Sequence, residues 1–563
     1  MNNDKAGKAE HSIEKYFFRS SAADFLKIPE APIAYWLSEK VREAFNIPKV
    51  AEFFEVKEGL GTRDDPRFLR SFWEVDCFKI RFHPEGSEKW VPTDKAGGFR
   101  KWYGSNGTVM NWENDGFEIR NFEKSVPRNT QYFFRDAVSW GKVATGRPSF
   151  RLRTAQYAFV DASPSAFGEE LNVLLSALNS RAISQLMKIQ GSTVNVTVGT
   201  AKNLPYIKEI DETVSDDCVA LAKRDWDSYE TSWDFTTLPL LSPDHRTETL
   251  KGAYVRLRAH WQGMVDGMQQ LEEENNRTFI DAYGLQDELT PDVPLEEVTL
   301  TCNPHYRYGN NKSEEELEAL LLADTMRELV SYAVGCMFGR YALEEPGLIL
   351  ANQGETIEDY LKQIPEPSFP ADDDNVIPML DGDWFTDDIT ERFREFLRIA
   401  FGEEHYGENL RFVEQALGKD IRKYFLKDFY NDHVRRYKKR PIYWLFSSPK
   451  GSFNALIYMH RYQPHTVGTV LEYLRDFKDE KLKARKNHLE AVSISAGASQ
   501  GEKTKALKEI EKINKTLAEL DDYERDVLYP LATEQVEIDL DDGVKTNYPK
   551  FGEALKKITG LSG

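Results

Sequence analysis

The sequence predicts an α+β protein: a mixed α/β domain followed by a largely helical region that carries an antiparallel helical hairpin. Three observations lead there. Between residues 51 and 207, short β-rich runs alternate with Gly, Asn and Asp turns. From 208 onwards, apolar residues recur at helical spacing. Between 466 and 527, two charged helical stretches flank the breaker "SISAGASQGE". A chain of 563 residues is too long for one core, so about three or four domains are expected.

Residues 1–50 read as a helical connector, where "FLKIPEAPIAYWLSEKVREAF" holds two short helical patterns interrupted by Pro29 and Pro32. Across 51–207, "SFWEVDCFKIRF", "TVMNW", "RPSFRLR" and "QYAFVDA" are strand candidates. "FGEELNVLLSALNSRAISQLMKI" reads as one helix, and "STVNVTVGTAKNLPYI" as a strand and turn. Residues 208–349 form a helical domain, in which Ser313 and Glu316 make a capping box at the head of a strong helix. An acidic, Pro-rich linker is expected over 350–387. Residues 388–465 mix helices with two strands around a turn at Pro449-Lys450-Gly451. The hairpin occupies 466–530, lined by Leu471, Leu474, Leu482 and Leu489 on one helix and by Leu507, Ile510, Leu517 and Leu520 on the other. Residues 531–563 are a tail.

The formal net charge is -20, which argues against a protein that coats nucleic acid indiscriminately. It does not exclude DNA binding, because the distribution of charge outweighs the sum. Much of the acid sits in blocks such as "LEEEN", "ADDDN" and "IDLDDG". A DNA-mimicking inhibitor is also acidic, but 73 Lys and Arg in aromatic-rich clusters argue against one. No apolar run reaches about 18 residues, so no membrane span is expected. The polar opening "MNNDKAGKAE" shows no signal peptide, and cytoplasmic residence is the expectation. Cys77, Cys218, Cys302 and Cys336 are far apart and form no C-x-x-C pair, so neither a zinc site nor a disulfide framework is indicated.

"GGFRKWYGSNGTVMNWENDG", residues 97–116, sets Arg100, Lys101, Trp102 and Tyr103 beside glycines and follows them with Asn111 and Trp112. Arg can donate two hydrogen bonds to guanine, Asn can pair with adenine, and Lys can meet phosphate. Interleaved aromatics can wedge or stack. The competing reading is a rigid loop whose Trp and Tyr pack on a sheet. Arg147, Arg151 and Arg153 alternate along a strand candidate, presenting three guanidiniums on one face, for DNA or for solvent. Arg435, Arg436, Lys438, Lys439 and Arg440 are the densest basic cluster, suited to phosphate or to a solvated helix end.

"LTCNPHYRYGN" holds Asn303, Pro304, His305 and Tyr306, close to the Asn-Pro-Pro-aromatic motif with which amino-methylating DNA methyltransferases hold a flipped base. A cofactor half is not evident. Gly59-Leu60-Gly61 is a single G-x-G, residues 210–300 are helical, and His305 replaces the second Pro. Asn303 to Tyr306 is therefore read as a structural loop, with no catalytic residue assigned. Glu55-Val56-Lys57 lacks the preceding Pro-Asp of a metal-dependent nuclease, and no metal site is expected.

Taken in order, "FLKIPEAPIAYWLSEKVREAF", "GLGTRDDPRFLR", "RKWYGSNGTVMNWENDG", "LNVLLSALNSRAIS", "DWDSYETSWDF", "LTCNPHYRYG", "VSYAVGCMFGRY" and "LDDGVKTNYPKFGEAL" resemble the C-terminal half of the PglX family, the adenine-specific DNA methyltransferases of BREX phage-defence systems. The resemblance runs from about residue 20 to the end. It implies methyl transfer from S-adenosylmethionine to the exocyclic amine of an adenine in a short site. The catalytic domain lies N-terminal to this region in the family. On that likeness, residues 51–207 are a target-recognition domain for double-stranded DNA. The chain is then an excised fragment or one half of a split enzyme, inactive alone and without cofactor of its own. Its partners are a methyltransferase half or other defence-complex proteins. The alternative is a protein-interaction scaffold within such a complex.

Overall fold

The computed structural model describes residues 36–82, 89–143, 147–190, 195–210 and 213–561. The helical patterns expected before residue 36, and the first three residues of the strand and turn expected over 192–207, lie outside them. The chain divides into two compact units. The first takes the described parts of Met1–Leu69, Lys89–Trp226 and Trp261–Asn311; the second takes those of Arg70–Glu88, Asp227–His260 and Lys312–Gly563. The 33-residue helix Leu250–Ala282 contributes to both.

The first unit is built on two small sheets. In one, Glu55–Lys57, Ser165–Phe167, Ala137–Trp140 and Phe150–Arg153 run antiparallel in that spatial order. In the other, Trp90–Asp94 pairs antiparallel with Thr108–Asn111 and parallel with Ala158–Phe159. Strands of two to five residues cannot bury enough on their own. Their inner side chains meet in one core of Leu60, Phe68, Met110, Trp112, Phe133, Phe159 and Phe167, among others. The stretch read as one helix is two, Leu171–Asn179 and Arg181–Ile189. Ser180 makes the break. Its backbone is extended and its hydroxyl accepts from Ile183 N, so it caps the second helix instead of continuing the first. In the second unit, "SFWEVDCFKIRF" folds largely as short 3-10 turns, Phe72–Glu74 and Cys77–Lys79, where Asp76 and Ser71 divert the backbone by capping. Val198–Lys202 is a short helix capped by Thr197 rather than a strand.

The second unit is mostly helical. Ser313 and Glu316 form the expected capping box of Glu314–Met337. Its buried face meets Ile389–Phe401 and Tyr406–Leu417. Tyr443–Ser447 and Asn454–Tyr458 pair antiparallel around Pro449-Lys450-Gly451, and Ile377–Pro378 adds a third strand. The 350–387 stretch is packed structure: it holds that strand and the helix Ile357–Gln363. The unit's interior is polar at its centre. Glu230 accepts from Ser331 and Tyr437, and Arg340 donates to the hydroxyls of Tyr458 and Tyr341. Buried charges of this kind persist only when hydrogen-bonded.

The hairpin is present. Lys483–Ile494 packs on Gln500–Tyr523, and Arg485–Glu509 and Arg475–Glu524 fix it as antiparallel. Leu471, Leu474, Leu482, Leu489 and Leu520 are buried as expected. Leu507 is not: it is 58% exposed, and Ala506 and Ile513 take the inner face. Among the described residues, no helix is long and apolar enough to cross a membrane.

Candidate nucleic-acid interface

The 97–116 motif divides into two halves of opposite character. The first half is interior. Arg100 is 3% exposed and spends its guanidinium within the first unit: Nε donates to Tyr103 O (2.8 Å), Nη1 to Thr301 Oγ1 (2.9 Å) and Nη2 to Asp225 Oδ2 (2.8 Å). Asp225 also accepts from the backbone N–H groups of Thr301 and Cys302. Its carboxylate therefore ties the 97–103 loop to the 299–302 segment. Trp226 stacks beneath Arg100, 4.9 Å from the guanidinium carbon to the ring centre. Lys101 pairs with Glu272, and Trp102 Nε1 donates to the other oxygen of that carboxylate at 2.7 Å. Trp102 sits at φ +70°, a left-handed conformation that this set of contacts holds in place. Tyr103 is buried as well. Arg100, Lys101, Trp102 and Tyr103, expected to face DNA, are instead an internal anchor. Two carboxylates more than a hundred residues away turn them inward.

Arg151 and Arg153 do alternate along Phe150–Arg153, but that face is buried. Arg153 lies over the rings of Phe159 and Phe167, at 4.5 and 5.2 Å, and burial pushes its guanidinium down to about 10. Burial likewise lowers Arg151. With both buried, the expected row of three is reduced to Arg147, which is half-exposed and pairs with Glu297. The 435–440 cluster also splits. Arg436 and Arg440 turn inward toward Glu230 and Glu74. Arg435, Lys438 and Lys439 remain exposed, and both lysines adopt positive φ (51° and 60°).

The second half of the motif is at the surface. The helix Glu113–Asn121 begins with three consecutive left-handed residues, Asn114 (φ 52°), Asp115 (φ 56°) and Gly116 (φ 70°). Successive left-handed residues cost roughly 1–2 kcal/mol each, least for Asn, Asp and Gly. The turn is therefore held from both sides. Asn111 Oδ1 accepts from Glu113 N at 3.2 Å, and its amide donates to Glu118 at 3.0 Å. Glu118 in turn receives Arg67 at 2.7–2.8 Å. Arg120 donates to Asp115 O at 2.7 Å and covers the Trp112 ring at 5.0 Å. Gly116 is obligatory: a Cβ there would lie 2.6 Å from the Trp112 ring. Trp112 is thus core, while Asn111 is half-exposed.

This rigid turn presents Asn114 and Phe117 outward. Phe117 is 67% exposed, the most exposed large apolar side chain described in the first unit. On the same segment Glu118 holds Arg67 and Asp115 holds Arg120, both carboxylates exposed. Nearby loops carry Arg63 paired with Asp161 and Lys95 paired with Asp65. Among the described residues, seven of the twelve non-glycine positions at positive φ fall between Arg63 and Phe134. Such conformations persist only where the surrounding structure holds them. Phe117, Arg67 and Arg120 escaped the sequence reading. The signal available was "NDG", three residue types that tolerate left-handed backbone, with an aromatic immediately after.

Asn303 is fully buried. Its amide donates to Leu295 O (2.7 Å) and Val298 O (2.8 Å), and its oxygen accepts from His305 N (3.1 Å), capping the helix Pro304–Tyr308. Tyr306 donates to Phe99 O, adding another tie to the anchor. At Gly59-Leu60-Gly61, a Cβ on Gly59 would lie 2.4 Å from Phe159 O. That glycine permits close packing of two backbones. Among the described residues, no group of His, Cys, Asp or Glu is arranged to hold a metal ion.

The chain is similar in sequence to two curated proteins. Over 96% of its length the chain is 33% identical to the adenine-specific methyltransferase BrxX of Escherichia coli O9:H4 (strain HS). Over 97% it is 34% identical to the adenine-specific methyltransferase PglX of Lacticaseibacillus casei (strain Zhang). Each match covers 46% of the relative, so the chain spans about half the length of the curated relatives it matches. No family model matches the chain.

Proposed function

We propose that this relative of the BrxX/PglX methyltransferases is the DNA-recognition part of a site-specific adenine methyltransferase in a BREX-type defence system. Methyl transfer from S-adenosylmethionine, and the cofactor seat itself, belong to a methyltransferase half acting in cis or in trans. This region corresponds to the C-terminal half of the complete enzyme. The observation that carries the reading is the pairing of two facts: similarity along nearly the whole chain to adenine-specific methyltransferases, and a strained, solvent-facing turn that bears an exposed aromatic and whose carboxylates hold two arginines.

The chemistry follows from the turn. Arg67 and Arg120 are held ready by carboxylates, and on DNA they exchange these partners for phosphate or for a base edge. Phe117 projects where an apolar side chain can wedge a base step. The Arg100–Asp225 and Lys101–Glu272 pairs keep the supporting loop fixed, so that the turn is presented in one orientation. Binding of the purified chain to random and enriched duplexes tests this. Sequence-selective, salt-dependent binding is expected, with methylation appearing only when the methyltransferase half is added. Binding without preference, or methylation by this chain alone, contradicts it.

A further inference from the structure

The helical hairpin of the second unit has a charge pattern that the packing of the unit does not use. From Lys481 to Lys515 the sequence carries nine Lys and Arg against four Asp and Glu, in a chain whose net charge is -20. Within Gln500–Tyr523, Lys505, Lys508, Lys512 and Lys515 follow one another at intervals of three, four and three residues. At 3.6 residues per turn these positions share one face and extend over about 15 Å. All four are exposed. The opposite face is the buried one, made by Ala506, Ile513 and Leu520.

Ion pairing inside the hairpin does not account for the row. Glu509 is taken by Arg485 from the other helix, and Glu511 pairs with Lys515 in a fully exposed contact. Among the described residues, Lys505, Lys508 and Lys512 have no carboxylate within ion-pair distance. A strip of free ammonium groups on an acidic protein is complementary to a polyanion. Duplex DNA carries about one negative charge per 1.7 Å of axis, so the strip's length spans several phosphates. Lysines on flexible stems suit phosphate, which they meet as point charges without reading sequence.

We infer that the Lys505–Lys508–Lys512–Lys515 stripe is a second DNA-binding surface, which grips the phosphate backbone independently of sequence. The inference rests on the DNA-recognition reading for its occupant and adds a surface in the other unit.

The test is a salt titration of duplex binding by fluorescence anisotropy, using the full chain and its K505Q/K508Q/K512Q/K515Q variant, with circular dichroism to check helicity. The expected result is a slope of log K against log salt reduced by about 0.9 for each phosphate that the variant no longer neutralises, some two to four in total, with sequence preference unchanged. K505Q/K512Q and K508Q/K515Q should each remove about half of that change, and they serve if the fourfold variant unfolds. A wild-type chain that binds selectively and a variant with the same slope overturn the stripe and leave the recognition reading standing. Unselective wild-type binding whose slope still falls in the variant supports the stripe and removes the recognition reading. No binding by the wild type removes both. An unchanged DNA slope in a variant that no longer binds polyglutamate overturns the inference in favour of an acidic protein partner.

Discussion

Residues 100–103 and 111–117 look alike on paper: polar hydrogen-bonding groups interleaved with aromatics and punctuated by glycine. In the folded chain they do opposite work. The first set is buried, with every charge matched by a distant carboxylate. The second is lifted into solvent on a left-handed turn that local side chains brace. The difference teaches that residue type fixes what a side chain can recognise, while long-range partners decide whether it is available. Asp225 and Glu272 make an anchor out of residues that otherwise resemble a reading head.

The largest expected effect falls on the anchor. Arg100→Ala leaves Asp225 buried with two backbone donors and no cation, and should cost about 3–5 kcal/mol, measured by chemical denaturation. If Arg100→Ala melts like the parent and instead relaxes base preference, the two regions have been assigned the wrong way round. Next is Gly116→Ala. It forces an L side chain into φ +70° against Trp112 and should destabilise the turn by about 1–3 kcal/mol. Accelerated amide hydrogen exchange across 111–121, with the anchor still protected, would show that the cost is local.

Buried histidines of the second unit offer a contrast that owes nothing to DNA. Burial pushes His460 down to about 3, and His433 lies well below its ordinary value for the same reason. Both are neutral when folded, whereas the unfolded chain takes up protons at the ordinary pKa near 6.5. Their stabilising contribution is therefore complete above that value and falls as pH drops from it toward 3. His460 alone should account for about 2 kcal/mol between pH 6.5 and 5. Denaturant melts across that range should show the loss, and His460→Gln should flatten it. A parent protein equally stable at pH 5 and 7 contradicts the neutral burial of both rings. The smallest effect is expected at the exposed remainder of the 435–440 cluster. Arg435→Gln with Lys439→Gln should leave melting unchanged and lower the salt slope of DNA binding by at most about two.

Much of the fold was legible. Helical periodicity, the Ser313 capping box and the Pro449-Lys450-Gly451 turn are local signals, and the structure carries them. The hairpin was legible except at Leu507, where a single apolar residue on the outer face mimicked the heptad. The misses share one cause. Ser180 splits a periodic helix by capping, and Asp76 and Thr197 turn strand-like runs into short helical turns, through side-chain hydrogen bonds that periodicity does not register. At the candidate site, the burial of Arg100 and Lys101 depends on Asp225 and Glu272, far along the chain, which no spacing rule supplies. Phe117 was missed because its exposure follows from backbone geometry rather than from its neighbours' chemistry.

The central claim is that the braced turn, and not the buried anchor, faces DNA. Phe117 is the residue to change, because it contributes to the exterior and little to the core. Duplexes selected from a random pool by the Phe117→Ala chain and by the parent should be compared, with melting temperatures measured alongside. The expected result is a melting temperature within a degree or two of the parent, affinity for the parent's preferred duplex lower by 1–3 kcal/mol in order of magnitude, and preference relaxed at one position. An unchanged affinity and an unchanged selected sequence from a folded Phe117→Ala chain would contradict the account.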